Sequence, residues 1–243
     1  MTSKSFFVAG TDTGIGKTVV TGLLAGYLRD KGFSVITQKW VQTGSGEPAG
    51  DISCHLDSMG ADRNFFKKYS DLAVPYSLAF PASPHLASAM EKVKISTSRI
   101  RESFLSLTKK FDVTIVEGTG GLLVPLNERE LAVDVVGSLP LNVILVVGNR
   151  LGAINHALLS AEALKNRGIA VAGIIFNRFC PRGDEIVLRD NRKVISLFSG
   201  LEDFGEVPYE PDLERRSAAF GAIGQRVMSM FSFPGVCIFP SEK

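Results

Sequence analysis

The chain has 243 residues, 45% of them apolar and 21% charged, with a formal net charge of +2. This composition is typical of a globular protein with a full core, and the small net charge gives no reason to expect binding to nucleic acid or a membrane surface. No apolar run approaches the roughly 18 residues of a membrane span, and the run at 6–9 is too short for a signal peptide, so we expect a cytoplasmic protein. The three cysteines and three histidines are scattered along the chain, so neither a disulfide framework, a zinc site nor a histidine metal cluster is expected.

A glycine-rich segment at 10–18, Gly-Thr-Asp-Thr-Gly-Ile-Gly-Lys-Thr, lies between a predicted strand at 5–9 and a predicted helix at 17–31. Backbone N–H groups of such a turn, together with the helix N-terminus, bind phosphate oxygens. Lys17 would place its charge near the β- and γ-phosphates, and the Thr18 hydroxyl would be a Mg²⁺ ligand. The alternative is an ordinary strand-to-helix turn, but a lysine in the first helical turn opposes the helix dipole unless an anion binds there. Five residues rather than four separate Gly10 from Gly16, so the loop is a variant.

Two further predicted strands, at 33–38 and 113–116, end beside charged residues. The first ends at Lys39 and is followed by a loop rich in turn-forming residues at 43–50 and by Asp51, before a short helix at 52–59. The second ends at Glu117 and is followed by Gly-Thr-Gly-Gly. Ligands bind outside the carboxyl ends of strands in open α/β sheets, so these side chains are expected beside the phosphate loop. Each residue also has a purely structural alternative. Lys39 would be a solvated lysine at a strand end, Asp51 a helix N-cap, and Glu117 a glutamate before a flexible turn.

The remaining elements alternate between helix and strand. Residues 61–83 are predicted to form a long crossing loop with a short helix near 62–69, followed by a helix that begins at 84 with proline in its first position. Asn177 and Arg178 follow a predicted strand at 171–176. The other predicted elements are helices at 97–110, 131–138, 153–167, 184–199 and 212–231, extended chain at 122–126, strands at 143–147 and 204–209, and an edge element at 236–239. This alternation predicts an α/β fold, a single P-loop domain over 1–243 with a mostly parallel, doubly wound sheet flanked by helices.

The polar residues at the strand ends favour phosphoryl chemistry on a small acceptor. Two lysines and a Mg²⁺ ion would form an electrostatic clamp, and phosphoryl transfer depends on positioning and charge more than on covalent chemistry. Lys39 lies too far along the chain to belong to the phosphate loop, and Thr43 follows it closely enough to orient a substrate. These residues alone do not identify the acceptor.

Several segments together resemble the dethiobiotin synthetase family. They are the phosphate loop, Lys-Trp-Val-Gln-Thr-Gly at 39–44, Ser-Pro-His at 83–85, Val-Glu-Gly-Thr-Gly-Gly at 116–121, the segment at 146–157, Asn177, and Gly-Glu-Val-Pro at 205–208. The resemblance implies an ATP-dependent ligase of biotin biosynthesis, with Mg²⁺ as cofactor, that joins 7,8-diaminopelargonic acid and CO₂. A carbamate of the diamine would be activated by the γ-phosphate as a mixed anhydride, and the second amine would close the cyclic urea. Family members often carry glutamate where Gly14 stands and proline where Trp40 stands.

The resemblance also implies roles for individual residues. Catalysis would depend on Lys39, Lys17 and Thr13. The substrate would be bound by Thr43 and, across a homodimer interface where a helix N-terminus suits its carboxylate, by Gly152, Ala153 and Asn155. Mg²⁺ would be held by Thr18, Asp51 and Glu117. The nucleotide would be bound by Gly14, Ile15, Gly16, Lys17, Thr18, Val19, Asp51, Glu117, Gly118, Thr119, Gly120, Asn177, Arg178 and Pro208, with Asn177 at the adenine edge.

Two other functions are compatible with a phosphate loop of this kind. A switch ATPase of the partition or cell-division type would carry a lysine at the second position of the loop, where this chain has Thr11. An amidotransferase-type synthetase of the cobyrinic acid family would need an additional glutaminase domain, for which the chain leaves no room. Both are therefore less favoured than the ligase.

Overall fold

The computed structural model describes residues 4–44, 50–181 and 183–230. The strands are β1 (Lys4–Gly10), β2 (Val35–Lys39), β3 (Val41–Thr43), β4 (Tyr76–Leu78), β5 (Val113–Glu117), β6 (Asn142–Gly148), β7 (Val171–Asn177) and β8 (Asp203–Val207). The helices are α1 (Lys17–Asp30), α2 (Gly50–Met59), α3 (Arg63–Lys67), α4 (Ser70–Ala73), α5 (Pro84–Met90), α6 (Thr97–Thr108), α7 (Ala132–Gly137), α8 (Ala153–Lys165), α9 (Glu185–Ser199) and α10 (Leu213–Ser229).

Six of these strands form one parallel sheet in the order β2-β5-β1-β6-β7-β8. Alternate side chains of β1 enter different cores: Phe7 and Ala9 lie in one hydrophobic cluster, and Phe6 and Val8 in another. Burial on both faces explains why the central strands are continuous apolar runs rather than alternating ones. The prediction of a parallel, doubly wound α/β sheet is confirmed, and β3 and β4 form a separate parallel pair.

Two glycines on α1 allow helix α2 to pack closely beside it. A Cβ atom added at Gly22 would lie 2.7 Å from Ser58 Oγ, and one added at Gly26 would lie 2.6 Å from the Ser58 backbone oxygen. These distances are shorter than ordinary van der Waals contacts, so larger residues would force the two helices apart. The close packing of α2 on α1 fixes the position of its first turns, which carry Asp51 and His55.

Three predicted elements differ from the structure. The crossing region at 61–83 contains two short helices and β4 in place of a loop with one helix. Residues 122–126 are not extended: a turn at 122–123 folds the chain back so that the N–H groups of Ala132 and Val133 donate to the oxygens of Val124 and Leu122. Helix α2 begins at Gly50, so Asp51 lies in its first turn and is not the N-cap.

The other predicted helices and strands are present with end residues shifted by a few positions, as helix and strand boundaries commonly are. The predicted edge element at 236–239 lies outside the described residues. Within the described ranges, no helix has both the length and the apolar character that crossing a bilayer would require.

Candidate active site

The carboxyl ends of β1, β2 and β5 border a cleft of about 350 Å³. Parallel strands end at the same edge of a sheet, so one edge receives the residues that follow each of these strands. The residues that line the cleft are Thr13, Gly14, Gly16, Lys17, Thr18, Lys39, Gln42, Thr43, Asp51, Glu117, Thr119 and Gly120. Most of the residues predicted for catalysis, metal binding and phosphate binding are therefore brought together.

The phosphate loop depends on glycine at two positions. Gly16 precedes α1 with a φ of 99°, and a Cβ atom there would lie 2.0 Å from Asn177 Nδ2. Asn177 donates from this nitrogen to the Ile15 backbone oxygen at 2.9 Å, so β7 supports the loop from behind. A Cβ atom at Gly10 would lie 2.7 Å from the Lys17 side chain. This side chain runs back over the loop and donates from Nζ to the backbone oxygen of Asp12 at 2.6 Å.

Lys39 lies between two carboxylates at the floor of the cleft. Its Nζ is 2.7 Å from Glu117 Oε1 and 2.8 Å from Asp51 Oδ2, and it donates to the Gly118 oxygen at 3.1 Å. Lys39 and Glu117 are almost fully buried, with exposed fractions of 4% and 1%. Charges so poorly solvated are stable only when paired, so each group depends on the other.

Three oxygens of the predicted metal set converge at one side of this cluster. Thr18 Oγ1 lies 2.9 Å from Glu117 Oε1 and 3.3 Å from Asp51 Oδ1. Neighbouring ligands of an octahedral Mg²⁺ ion, each about 2.05 Å from the metal, lie about 2.9 Å from one another. The Thr18–Glu117 separation equals this value and the Thr18–Asp51 separation is somewhat longer, so these oxygens lie close enough together to ligate one Mg²⁺ ion.

The pKa values of the charged groups follow from burial and from their neighbours. Burial alone would lower the pKa of Lys39, but the carboxylates of Glu117 and Asp51 outweigh it and raise the pKa above its ordinary value. Burial alone would raise the pKa of Glu117, but Lys39 and His55 together lower it to about 2. The pKa of Lys17 is lowered to about 8, mainly because the side chain is buried and secondly because Lys39 carries a like charge nearby. Lys17 thus lacks full compensation for its charge, as expected for a phosphate-binding lysine.

His55 belongs to the site but is not among the residues predicted from the sequence. It is fully buried, and its Nε2 lies 2.8 Å from Glu117 Oε2. It stands four residues after Asp51 on α2, so both side chains lie on the same face of that helix. The i, i+4 spacing of an acid and a histidine was the available signal, but the histidines were weighed only as metal ligands.

The residues predicted to bind the base border a second hollow of about 280 Å³, reached from Gly14, Gly16 and Val19. Its other lining residues are Asn177, Arg178, Phe179, Pro208, Tyr209, Glu210, Pro211 and Arg216. The Arg178 guanidinium is fixed by Glu185 and Glu206, with N–O distances between 2.6 and 3.1 Å. The aromatic rings of Phe179 and Tyr209, which were not predicted from the sequence, add flat apolar surface to this hollow.

Gly152, Ala153 and Asn155 lie apart from the main cleft at the N-terminus of α8. Gly152 precedes the helix with a φ of 86°, Ala153 is buried and Asn155 is exposed. None of the three lines the cleft that contains Lys17 and Lys39. Their predicted role in substrate binding required a second subunit and stays a prediction.

Comparison with known proteins identifies the family. The family described as "AAA domain" matches residues 4–217. The chain is 43% identical to the ATP-dependent dethiobiotin synthetase BioD of Chlorobaculum tepidum, over 86% of each protein. It is 38% identical to BioD 2 of Pasteurella multocida, over 81% of this chain and 91% of that protein, and 35% identical to BioD of an Anaeromyxobacter species, over 90% and 96%.

Solved structures with the same fold include partition and cell-division proteins. The MinC:MinD complex of Aquifex aeolicus matches with a TM-score of 0.58 at 17% identity, over 96% of this chain and 98% of that chain. A plasmid partition protein from Borrelia burgdorferi matches with a TM-score of 0.59 at 14% identity, over 95% and 100%. At these identities the likeness shows the fold alone.

The predictions of the P-loop fold, of ATP use and of an ATP-dependent ligase are confirmed by these relatives. The sequence relatives share 35–43% of their aligned residues with this chain, whereas the structural neighbours share 14–17%. The chain belongs to the ATP-dependent dethiobiotin synthetase family.

Proposed function

We propose that the chain closes the ureido ring of dethiobiotin from 7,8-diaminopelargonic acid and CO₂ at the expense of ATP, in the cleft between the phosphate loop and the ends of β2 and β5. One observation supports this proposal: two lysines and three oxygen-bearing side chains line the same cleft. They are Lys17, Lys39, Thr18, Asp51 and Glu117. A carbamate and a triphosphate are both anions, so bringing them together requires concentrated positive charge.

Mg²⁺ fits the oxygens of Thr18, Asp51 and Glu117. Among the residues that the structure describes, no group of three or more His, Cys, Asp and Glu side chains has the arrangement of a metal site. Mg²⁺ does not need one, because it is commonly held by one or two carboxylates together with substrate phosphates and water. When bound, the ion would neutralise charge on the phosphate oxygens of ATP.

Lys39 acts in this proposal as a fixed positive charge. Its raised pKa keeps the ammonium protonated at neutral pH, so it stabilises anions and donates hydrogen bonds, and it does not act as a general base. Lys17, with a pKa near 8, gains a stabilising partner when phosphate oxygens arrive. The exposed hydroxyl of Thr13 and the half-buried one of Thr43 face the same cleft and would orient the carbamate or the amines.

The base of ATP would occupy the hollow lined by Asn177, Arg178 and Pro208. The Asn177 amide nitrogen already donates to the phosphate loop, so its Oδ1 is the atom left for the exocyclic amine of adenine. This arrangement would couple recognition of the base to the position of the phosphates.

The substrate carboxylate would be held by a second subunit. The N-terminus of α8, at Gly152, Ala153 and Asn155, offers the positive end of a helix dipole. A homodimer that turns this helix end towards the partner's cleft would bind the far end of the diamine. We place this dimer in the cytoplasm, where biosynthetic enzymes of this family would meet ATP.

The test is ADP release by the purified protein with ATP, Mg²⁺, bicarbonate and the diamine. We expect turnover only when both the diamine and bicarbonate are present. An ADP release rate that is unchanged when the diamine is omitted would contradict the ligase and favour a switch ATPase.

A further inference from the structure

His55 is buried behind the carboxylates proposed to bind the metal and does not itself line the cleft. It is 0% exposed, whereas the cleft is lined by Thr18, Lys39, Asp51 and Glu117 above it. A substrate in the cleft would therefore not touch His55, whose polar contact with the cleft wall is its hydrogen bond to Glu117.

The Glu117 carboxylate is held at both of its oxygens. Oε1 accepts from Thr18 Oγ1 at 2.9 Å and from Lys39 Nζ at 2.7 Å, while Oε2 lies 2.8 Å from His55 Nε2. With both oxygens engaged, rotation of the carboxylate about its last side-chain bond is restricted. Oε1 therefore remains directed to the side of the cleft on which Thr18 lies.

The hydrogen on His55 is fixed by its surroundings. The Glu117 carboxylate is ionised and can only accept, so Nε2 must carry the hydrogen of this bond. The other ring nitrogen, Nδ1, is buried and has no hydrogen-bond partner among the described residues. The hydrogen bond from Nε2 to Glu117 is therefore the polar contact that orients the ring among the described residues.

The position of His55 is set by the packing of α2 on α1. A Cβ atom added at Gly22 would lie 3.3 Å from the His55 Cα atom, so the helix backbones nearly touch at this point. Asp51 lies one turn earlier on α2. The same helix therefore supplies one carboxylate of the metal set and the residue that orients the other.

We infer that His55 is a positioning residue that fixes the rotation of the Glu117 carboxylate for divalent-cation binding. The inference rests on the proposed Mg²⁺ site. Partners of this kind around ligating carboxylates commonly change metal affinity about 10- to 100-fold when they are replaced.

The test compares His55→Gln with His55→Asn. The amide nitrogen of glutamine reaches the position of the histidine Nε2, whereas that of asparagine reaches only the position of Nδ1 and leaves Glu117 Oε2 without a donor. Both variants replace the ring by a smaller neutral amide, so they share the loss of ring packing. They differ in where the donor lies.

The first readout is direct binding of Mn²⁺ in the presence of an ATP analogue that cannot be hydrolysed, followed by electron paramagnetic resonance. We expect His55→Asn to weaken Mn²⁺ binding about tenfold and His55→Gln to stay within about threefold of the parent chain. The variant Ile52→Val, which alters a buried apolar side chain on the same helix, should lower the melting temperature and leave Mn²⁺ binding unchanged.

The second readout is turnover as a function of Mg²⁺ concentration. The Mg²⁺ concentration for half-maximal rate should rise about tenfold in His55→Asn, while kcat at saturating Mg²⁺ stays within about threefold of the parent value. A general loss of packing would lower kcat without this dependence on Mg²⁺.

The variant Glu117→Gln separates the inference from the proposed metal site. If Glu117→Gln weakens Mn²⁺ binding and His55→Asn does not, the role of His55 is refuted and the metal site stands. Equal loss in His55→Gln and His55→Asn would also refute it, because the position of the donor would then be irrelevant. If Glu117→Gln leaves Mn²⁺ binding unchanged, the metal site and the inference fail together.

Discussion

Replacing Lys39 by methionine removes the charge that neutralises two carboxylates and keeps much of the side-chain volume. In the parent chain, Lys39 Nζ lies within 2.8 Å of both Glu117 Oε1 and Asp51 Oδ2. In the variant these carboxylates would face each other across a buried site without a cation. We expect the variant to be less stable without ligand, and to regain stability when a divalent cation and nucleotide are supplied.

The size of the effect follows from the burial of the pair. Removing one partner of a buried ion pair costs roughly 3–5 kcal/mol. Independently, lowering the pKa of Glu117 from 4.5 to about 2 corresponds to about 3 kcal/mol, of which His55 contributes a part. For a chain of this length, a loss of about 3 kcal/mol lowers the melting temperature by about 6–12 °C.

The assay is thermal unfolding of the parent chain and Lys39→Met, each with and without Mg²⁺ and ADP. The variant should gain more stability from Mg²⁺ and ADP than the parent, because the metal would replace the missing positive charge. Lys110→Met, a change at an exposed lysine, is the control and should behave as the parent. Equal melting temperatures for Lys39→Met and the parent without ligand would refute the assigned role of the buried pair.

Three further predictions concern the helix packing, the phosphate lysine and the support of the loop. Gly26→Ala adds a Cβ atom 2.6 Å from the Ser58 backbone oxygen and should lower the free energy of unfolding in urea by about 1–3 kcal/mol. The control Gly221→Ala, where the added Cβ atom has open space, should raise it by about 0.5–1 kcal/mol. Equal effects of the two substitutions would refute the close packing of α1 and α2. The pKa of Lys17 is lowered to about 8 in the native chain, so between about pH 8 and 10.5 the unfolded chain holds a proton that the native chain has lost. The free energy of unfolding should therefore rise by up to about 3 kcal/mol over this pH range. The same rise in Lys17→Met would contradict this. Asn177→Ala removes the hydrogen bond to the phosphate loop and should raise the KM for ATP about tenfold, and an unchanged KM would exclude Asn177 as a support of the loop.

The sequence was sufficient for the features that depend on local patterns. The glycine-rich segment between an apolar strand and a helix predicted the phosphate loop, and the structure has Gly14 and Gly16 at positive φ there. The strand ends predicted that Lys39 and Glu117 would meet, and β2 and β5 pair so that these two residues are in register. Parallel strands that end at one edge leave few other arrangements.

Contacts between distant segments were beyond the sequence patterns. The pairing of His55 with Glu117 joins residues 62 positions apart, and it exists only because α2 packs closely on α1 at Gly22 and Gly26. A glycine in a helix lowers helix propensity whatever its purpose, so the sequence alone does not distinguish a packing glycine from a weak position. The turn at 122–123 was missed because five consecutive residues without a glycine favoured extended chain.

The most direct test of the proposed reaction follows the carbon of bicarbonate. The protein would be incubated with ¹³C-bicarbonate, ATP, Mg²⁺ and 7,8-diaminopelargonic acid, and the products would be measured by mass spectrometry together with ADP. We expect the label in the ureido carbon of dethiobiotin, with one ADP formed for each labelled product. ADP formation in the presence of the diamine without labelled dethiobiotin would contradict it.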